Sequence, residues 1–321
     1  MTAPDEQQPD EVRSDEVTAA DVTLARAVIE PLGCAVGSVA VLGGGAMNRV
    51  LRVRGVQTDG TRFDWVVRSP LGDRWPAQFA EESWAATAAA RAGVPAPRVV
   101  HVGLVGDRAV MVHEHAPDDG GPVARPWSAL GEYARRLADV ALDDAPDGLF
   151  TRFGRDVPRA WAQHVAHNRQ ALTDDDPLLR DGAYAAHQQA GLRALVDELA
   201  TTRLTYGLTH GDLAPRHLVA PAAGGPPVLL DWGNASTGPS PWTDLRHVLV
   251  LARVRREVAE ADLAEAAAAA GAPLDRATER VLVQLAVLQL LDVPRWALDR
   301  RPDLYQHFLD ECRTGLAVLL P

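Results

Sequence analysis

Two carboxylates in the second half of the chain are placed where they could do chemistry. Asp212 follows His210 and Gly211 in the string THGDLAPRHLV (209–219). Asp231 follows the apolar run VLL (228–230) and precedes Trp232 and Gly233. They stand 19 residues apart, which leaves room for a loop, a strand, a turn and a returning strand. A hairpin of that kind would bring both to one cleft edge. Such a pair suits phosphoryl transfer, a reaction that asks little covalent chemistry of a protein. Metal ions and positioning stabilise the charge on the phosphoryl oxygens, and a carboxylate accepts or orients the hydroxyl proton. Alone, Asp212 would read as a turn or cap aspartate. The second carboxylate, in register behind it, points to chemistry.

The elements that must carry these residues can be read from periodicity. VAVL (39–42), RVLRVRGV (49–56), RFDWVVR (62–68), RVVHVG (98–103) and RAVMVHEH (108–115) read as strands. Thr58, Asp59 and Gly60 mark a turn. A helix is predicted from about Ala77 to Ala92, stopped by Gly93 with Pro95 and Pro97 beyond it. Pro117, Gly120, Gly121 and Pro122 break the pattern, which then becomes helical. Leu130, Ala134, Leu137 and Ala141 share one face, and further helices are predicted near 156–172, 183–200, 243–258, 260–271, 276–292 and 302–319. LTH (208–210), HLV (217–219) and VLL are short strand-like interruptions. The fold class is therefore α+β. It has a five-stranded antiparallel N-terminal lobe with one helix (17–116) and a mainly helical C-terminal lobe (117–321). Residues 1–16 are expected to be a disordered acidic tail, the break near 116–122 a hinge, and a cleft between lobes the ligand site.

Composition narrows the partners. The chain has 321 residues and a net charge of −11, which argues against nucleic acid or an anionic membrane as partner and leaves a small molecule. It contains no lysine, so all 32 basic residues are arginine and any phosphate anchor is an arginine or a backbone amide. Cys34 and Cys312 have neither metal-type nor redox-type spacing, and the acidic start MTAPDEQQPDEVRSDE lacks the apolar run of a signal peptide. No apolar stretch is expected to span a bilayer. A cytoplasmic monomer or homodimer is the expectation.

HGDLAPRH (210–217) resembles the HGDLHPGN segment of the aminoglycoside phosphotransferase and choline kinase superfamily. DWGNASTGPSPWTDL (231–245) resembles that superfamily's DW…GxPxxDL segment, and the spacing between the two is similar. The resemblance runs from about residue 35 to 250 and more loosely to the end. It implies a protein-kinase-like fold and an ATP-dependent kinase, GTP being a possible donor, acting on a hydroxyl of a small molecule. Asp212 resembles the base that meets that hydroxyl. Asp231 resembles the ligand of nucleotide-bound Mg2+ or Mn2+. Asp244 resembles the aspartate that braces the loop, and His210 a loop-shaping residue. In GGGAMNRV (43–50), Gly44 and Gly45 would approach phosphates, and Asn48 matches the family asparagine. Arg68 stands where many kinases carry a phosphate-contacting lysine, with Glu82 as its ion-pair partner. MVHEHAP (111–117) matches the hinge, where backbone groups around His113 and His115 would hold adenine.

The chain departs from the superfamily at two positions. His217 replaces an asparagine that helps hold magnesium, although Mg2+ prefers oxygen donors. Three arrangements are open: weak metal binding by His217, a substituting water, or reliance on Asp231 alone. Arg216 replaces a glycine and could stabilise the transferring phosphoryl group. The acceptor is not fixed by these motifs. An antibiotic is preferred, aminoglycoside-like or a nucleoside- or sugar-containing natural product, in resistance or biosynthesis. The alternatives are a metabolic kinase of choline, homoserine or sugar type, and a nucleotide-binding pseudokinase. Acidic clusters at Asp139–Asp147, Asp174–Asp176 and Asp303–Glu311 could meet a cationic acceptor, but read first as solvated faces.

Overall fold

The computed structural model describes residues 16–43, 48–72, 78–117, 120–221 and 224–320; all but Glu16 of the expected tail (1–16), with Gly44 and Gly45, lies outside them. The chain divides into two units: the described residues of Met1–Val123 with Leu218–Gly233, and Ala124–His217 with Asn234–Pro321.

The first unit is built on an antiparallel sheet of β1 (Cys34–Val41), β2 (Asn48–Gln57), β3 (Arg62–Pro70), β4 (Val99–Val105) and β5 (Arg108–Glu114), in the order β1-β2-β3-β5-β4. The alternation read in the sequence puts Leu51, Val53, Phe63, Trp65, Val67, Val110 and Val112 in one buried cluster. A helix that the sequence reading did not anticipate, α1 (Ala19–Ile29), completes that cluster with Leu24, Ala25, Val28 and Ile29. Its β-branched residues obscure its propensity; its caps reveal it. Asp21 N donates to Thr18 Oγ1 at 3.2 Å and Thr18 N to Asp21 Oδ2 at 2.8 Å, a capping box. Arg49 of β2 then forks onto Asp21, at 3.0 Å from Nε to Oδ1 and 2.7 Å from Nη2 to Oδ2. α2 (Phe79–Arg91) occupies the predicted helix and gives way at Gly93, whose φ of 81° suits glycine.

The contiguous C-terminal lobe expected from 117 onward is corrected at one place. Leu218–Gly233 belongs with the first unit. Its strands β7 (Leu218–Val219) and β8 (Val228–Leu229) form an antiparallel hairpin. Backbone bonds tie it there, from Leu229 N to Pro95 O at 2.8 Å and from Gly120 N to Ala220 O at 2.9 Å.

The second unit is mainly helical: α3 (Pro126–Leu137), α4 (Val157–Ala171), the short α5 (Pro177–Arg180), α6 (Gln189–Thr201), α7 (Trp242–Leu249), α8 (Glu260–Ala269), α9 (Arg276–Arg300) and α10 (Tyr305–Leu319). The helix predicted over 243–258 is shorter, ending in a π-helical turn at Val250–Val254. α9 runs beyond its predicted end because it accommodates Pro294. α9 has the length and apolarity to cross a membrane, yet Leu282, Leu285, Leu288 and Leu291 are buried within the unit, as in a core helix. LTH lies in or beside β6 (Tyr206–Thr209), whose partner is β9 (Ser236–Pro239). The sequence STGP carries no strand signal, since glycine and proline are depleted in strands. Only the pairing with β6 makes it one.

Candidate active site

In the second unit, β6 delivers the chain into His210, Gly211 and Asp212. Asp244, in the first turn of α7, braces this loop from beneath. Fully buried, it accepts from His210 N at 3.1 Å on Oδ2 and from Gly211 N at 2.8 Å on Oδ1. Burial pushes its carboxyl up, while His210, the two amides and Arg246 pull the other way. Gly211 is required twice over. Its φ is 84°, and a Cβ there would sit 2.2 Å from the Asn234 carbonyl oxygen.

Asp212 is only 4% exposed. Its Oδ1 accepts from Arg216 Nη2 at 2.6 Å. His247 Nε2, from α7, lies 3.1 Å from the same oxygen without hydrogen-bond alignment. Burial would raise the Asp212 carboxyl, but His247 and Arg216 overcome it and hold the group well below the usual carboxylate range. Asp212 is therefore ionised. His217 Nδ1 lies 2.9 Å from the Asp212 carbonyl oxygen, so this ring nitrogen carries the proton and donates. Arg216, expected beside a phosphoryl group, is here paired with the carboxylate. His247 was not singled out in the sequence. One signal could have found it: it lies three residues after Asp244, on the same helical face.

In the first unit, Arg68 of β3 makes a hydrogen-bonded ion pair with Glu82 of α2; the two side chains are 14% and 7% exposed. The Arg68 guanidinium also stands 5.7 Å above the Phe79 ring. Burial raises the Glu82 carboxyl, Arg68 opposes this, and the charge of Asp231 adds to it. Asp231 follows β8 with φ of 62°, a left-handed conformation that aspartate tolerates better than most residues. A Cβ on Gly233 would lie 3.7 Å from both Asp231 Oδ1 and Glu82 Oε2, so both carboxylates lie beside this glycine. The neighbouring Trp232 is anchored by Nε1 donating to Leu229 O at 3.0 Å. Asn48 opens β2 opposite Pro70 and is half-buried. At the end of β5, His113 is kept neutral by burial, which lowers it to about 4. The His115 amide, expected among the backbone groups around adenine, donates to Asp64 O at 3.0 Å.

The residues present fit a divalent cation. Glu82 and Asp231 each bring a carboxylate oxygen beside Gly233, and hard oxygen donors of this kind suit nucleotide-bound Mg2+ or Mn2+. The Nδ1–H of His217 on a backbone carbonyl is the arrangement that orients a ligating imidazole and makes Nε2 its basic nitrogen. Such a donor suits Mn2+ better than Mg2+.

A five-stranded antiparallel sheet with a helical second unit and these two sets of residues define a kinase-like α+β protein. The model of the Phosphotransferase enzyme family matches residues 38–282, and the chain belongs to that family. Among solved structures, the fold is similar to the GDP complex of wild-type aminoglycoside 2'-phosphotransferase-IIIa, with 17% identity, TM-score 0.60, and coverage of 92% of this chain and 97% of that one. It is also similar to macrolide 2'-phosphotransferase type I, with 17% identity, TM-score 0.54 and coverage of 94% and 98%. A third is a Plasmodium vivax ethanolamine kinase, with 11% identity, TM-score 0.57 and coverage of 93% and 86%. No curated protein sequence matches the chain.

Proposed function

We propose that the protein transfers the terminal phosphoryl group of ATP, or of GTP, to a hydroxyl of a small molecule, with an antibiotic as the favoured acceptor. The observation that carries this reading is the buried Asp212, its Oδ1 paired with Arg216, on a loop fixed by Asp244, in a chain of the phosphotransferase family. Asp212 would accept or orient the acceptor's hydroxyl proton, and Arg216 would hold its carboxylate in place. Arg68, paired with Glu82, would meet the nucleotide phosphates as a planar fork rather than as the point charge of a lysine. Asp231 would hold a divalent cation, which when bound neutralises charge on the transferring phosphates. The GDP complex among the similar structures supports a nucleotide donor. The aminoglycoside and macrolide phosphotransferases support antibiotic hydroxyls as the first acceptors to test, and the ethanolamine kinase supports an amino-alcohol as the metabolic alternative.

The test is a panel of acceptors (kanamycin, a macrolide, a nucleoside antibiotic, ethanolamine, choline and a sugar) with ATP or GTP and Mg2+ or Mn2+, read by mass gain of one phosphoryl group. Asp212→Ala is expected to lower turnover by about 10²–10⁴-fold while leaving nucleotide binding intact. Turnover near that of the unaltered enzyme would remove Asp212 from the mechanism.

A further inference from the structure

We propose that His247 is a positioning residue for the Asp212 carboxylate, fixing its plane so that Oδ2 is the oxygen presented to the acceptor hydroxyl. This rests on the reading of Asp212 as the base. Among the described residues, the two side chains that come within 3.1 Å of the carboxylate converge on one oxygen. Arg216 Nη2 reaches Oδ1 at 2.6 Å, and His247 Nε2 stands 3.1 Å from that same atom. Among the described residues Oδ2 receives no hydrogen bond; the neighbour recorded for it is His217 Nε2, at 3.9 Å.

The terminal torsion of an aspartate is broad and roughly two-fold, so a carboxylate held at one point can still swing. Held at Oδ1 from two directions, it cannot do so without losing one contact. The two partners are not equivalent. The Arg216 side chain is 48% exposed and water competes for it, whereas that of His247 is 15% exposed and short, and it stands on the helix whose first turn carries Asp244. α7 thus sets both the backbone of the catalytic loop, through Asp244, and the orientation of its carboxylate, through His247. Nε2 of His247 is buried with no aligned hydrogen-bond partner. Such an atom is costly in a merely structural role and fits a contact that tightens when substrate binds.

The experiment compares His247→Ala, His247→Gln and His247→Phe, with Asp212→Ala as control. Turnover is read as ADP formed from MgATP, with an acceptor found by the panel above or with water. The expected result is a fall in kcat of about 10-fold or more for the alanine and phenylalanine variants. KM for MgATP should stay within about twofold, and most of kcat should return in His247→Gln, whose amide nitrogen can approach Oδ1. If kcat of His247→Ala stays within about twofold of the unaltered enzyme, the proposal is overturned. It is also overturned if phenylalanine serves as well as glutamine, since volume alone would then explain the residue. Should the alanine variant not fold, the glutamine and phenylalanine pair decides. A collapse of activity in Asp212→Ala with no effect at His247 refutes this inference alone. Full activity in Asp212→Ala, or no ADP formation by the unaltered enzyme under any condition, refutes the functional reading and this inference with it.

Discussion

Replacing Asp244 by asparagine should loosen the His210–Asp212 loop by an amount set by two hydrogen bonds. The carboxylate is fully buried and accepts two backbone N–H groups, from His210 at 3.1 Å and Gly211 at 2.8 Å, one on each oxygen. An amide has one acceptor oxygen, so Asp244→Asn keeps one bond and turns an NH2 group toward the other N–H. A lost hydrogen bond to a charged acceptor, with a buried donor left unpaired, costs about 2–3 kcal/mol. Removing a charge that burial disfavours returns part of this, so the lower end of the range applies. For a chain of this size the expected drop in Tm is about 3 °C. Asp244→Ala orphans both donors and should cost more. Thermal melts followed by circular dichroism measure the stability, and kcat with nucleotide affinity measures the function. Because the loop that shifts carries Asp212, kcat should fall by about 10²-fold while nucleotide affinity is kept. An unchanged Tm together with unchanged kcat in Asp244→Asn would refute the claim that these two hydrogen bonds hold the loop.

Three further perturbations test other parts of the structure. Arg68→Ala strands Glu82, buried near the like charge of Asp231, and should destabilise the first unit by about 3–5 kcal/mol, visible in urea melts; Glu82→Gln in the same background should recover part of the loss. The Arg49 guanidinium on Asp21 holds that carboxyl at about 2, below its ordinary value of 3.8. A lowered folded-state pKa gives stability that is complete above the ordinary value and lost as pH falls toward 2. Stability measured between pH 5 and 2 should therefore show a decline of about 1–2 kcal/mol that is absent in Asp21→Asn. Gly211→Ala puts a Cβ against the Asn234 carbonyl at a φ of 84° and should cost about 3 kcal/mol or more. A Tm within about a degree of the unaltered protein would show that the loop relaxes freely.

The sequence by itself determined the elements whose residues announce their own periodicity or punctuation. The five strands alternate and α2 is stopped by Gly93, while the pairing of Arg68 with Glu82 was implied by the family resemblance. Asp212, Asp231 and Asp244 stand out as a motif with fixed spacing, and the bracing expected of Asp244 is seen in the bonds it accepts from His210 and Gly211. Tertiary structure decided what depends on neighbours remote in the chain. β9 is a strand only because β6 lies beside it, and α1 is fixed by its cap and by Arg49 at 28 residues' distance. Leu218–Gly233 joins the first unit through backbone bonds to Pro95 and Gly120, which no local pattern encodes. The charge environment of Asp212 belongs to the same class. Arg216 suggested a phosphate contact from sequence, and His247 suggested nothing. The fold turns both onto one carboxylate oxygen, because only packing determines which way a side chain on a loop or a helix face points.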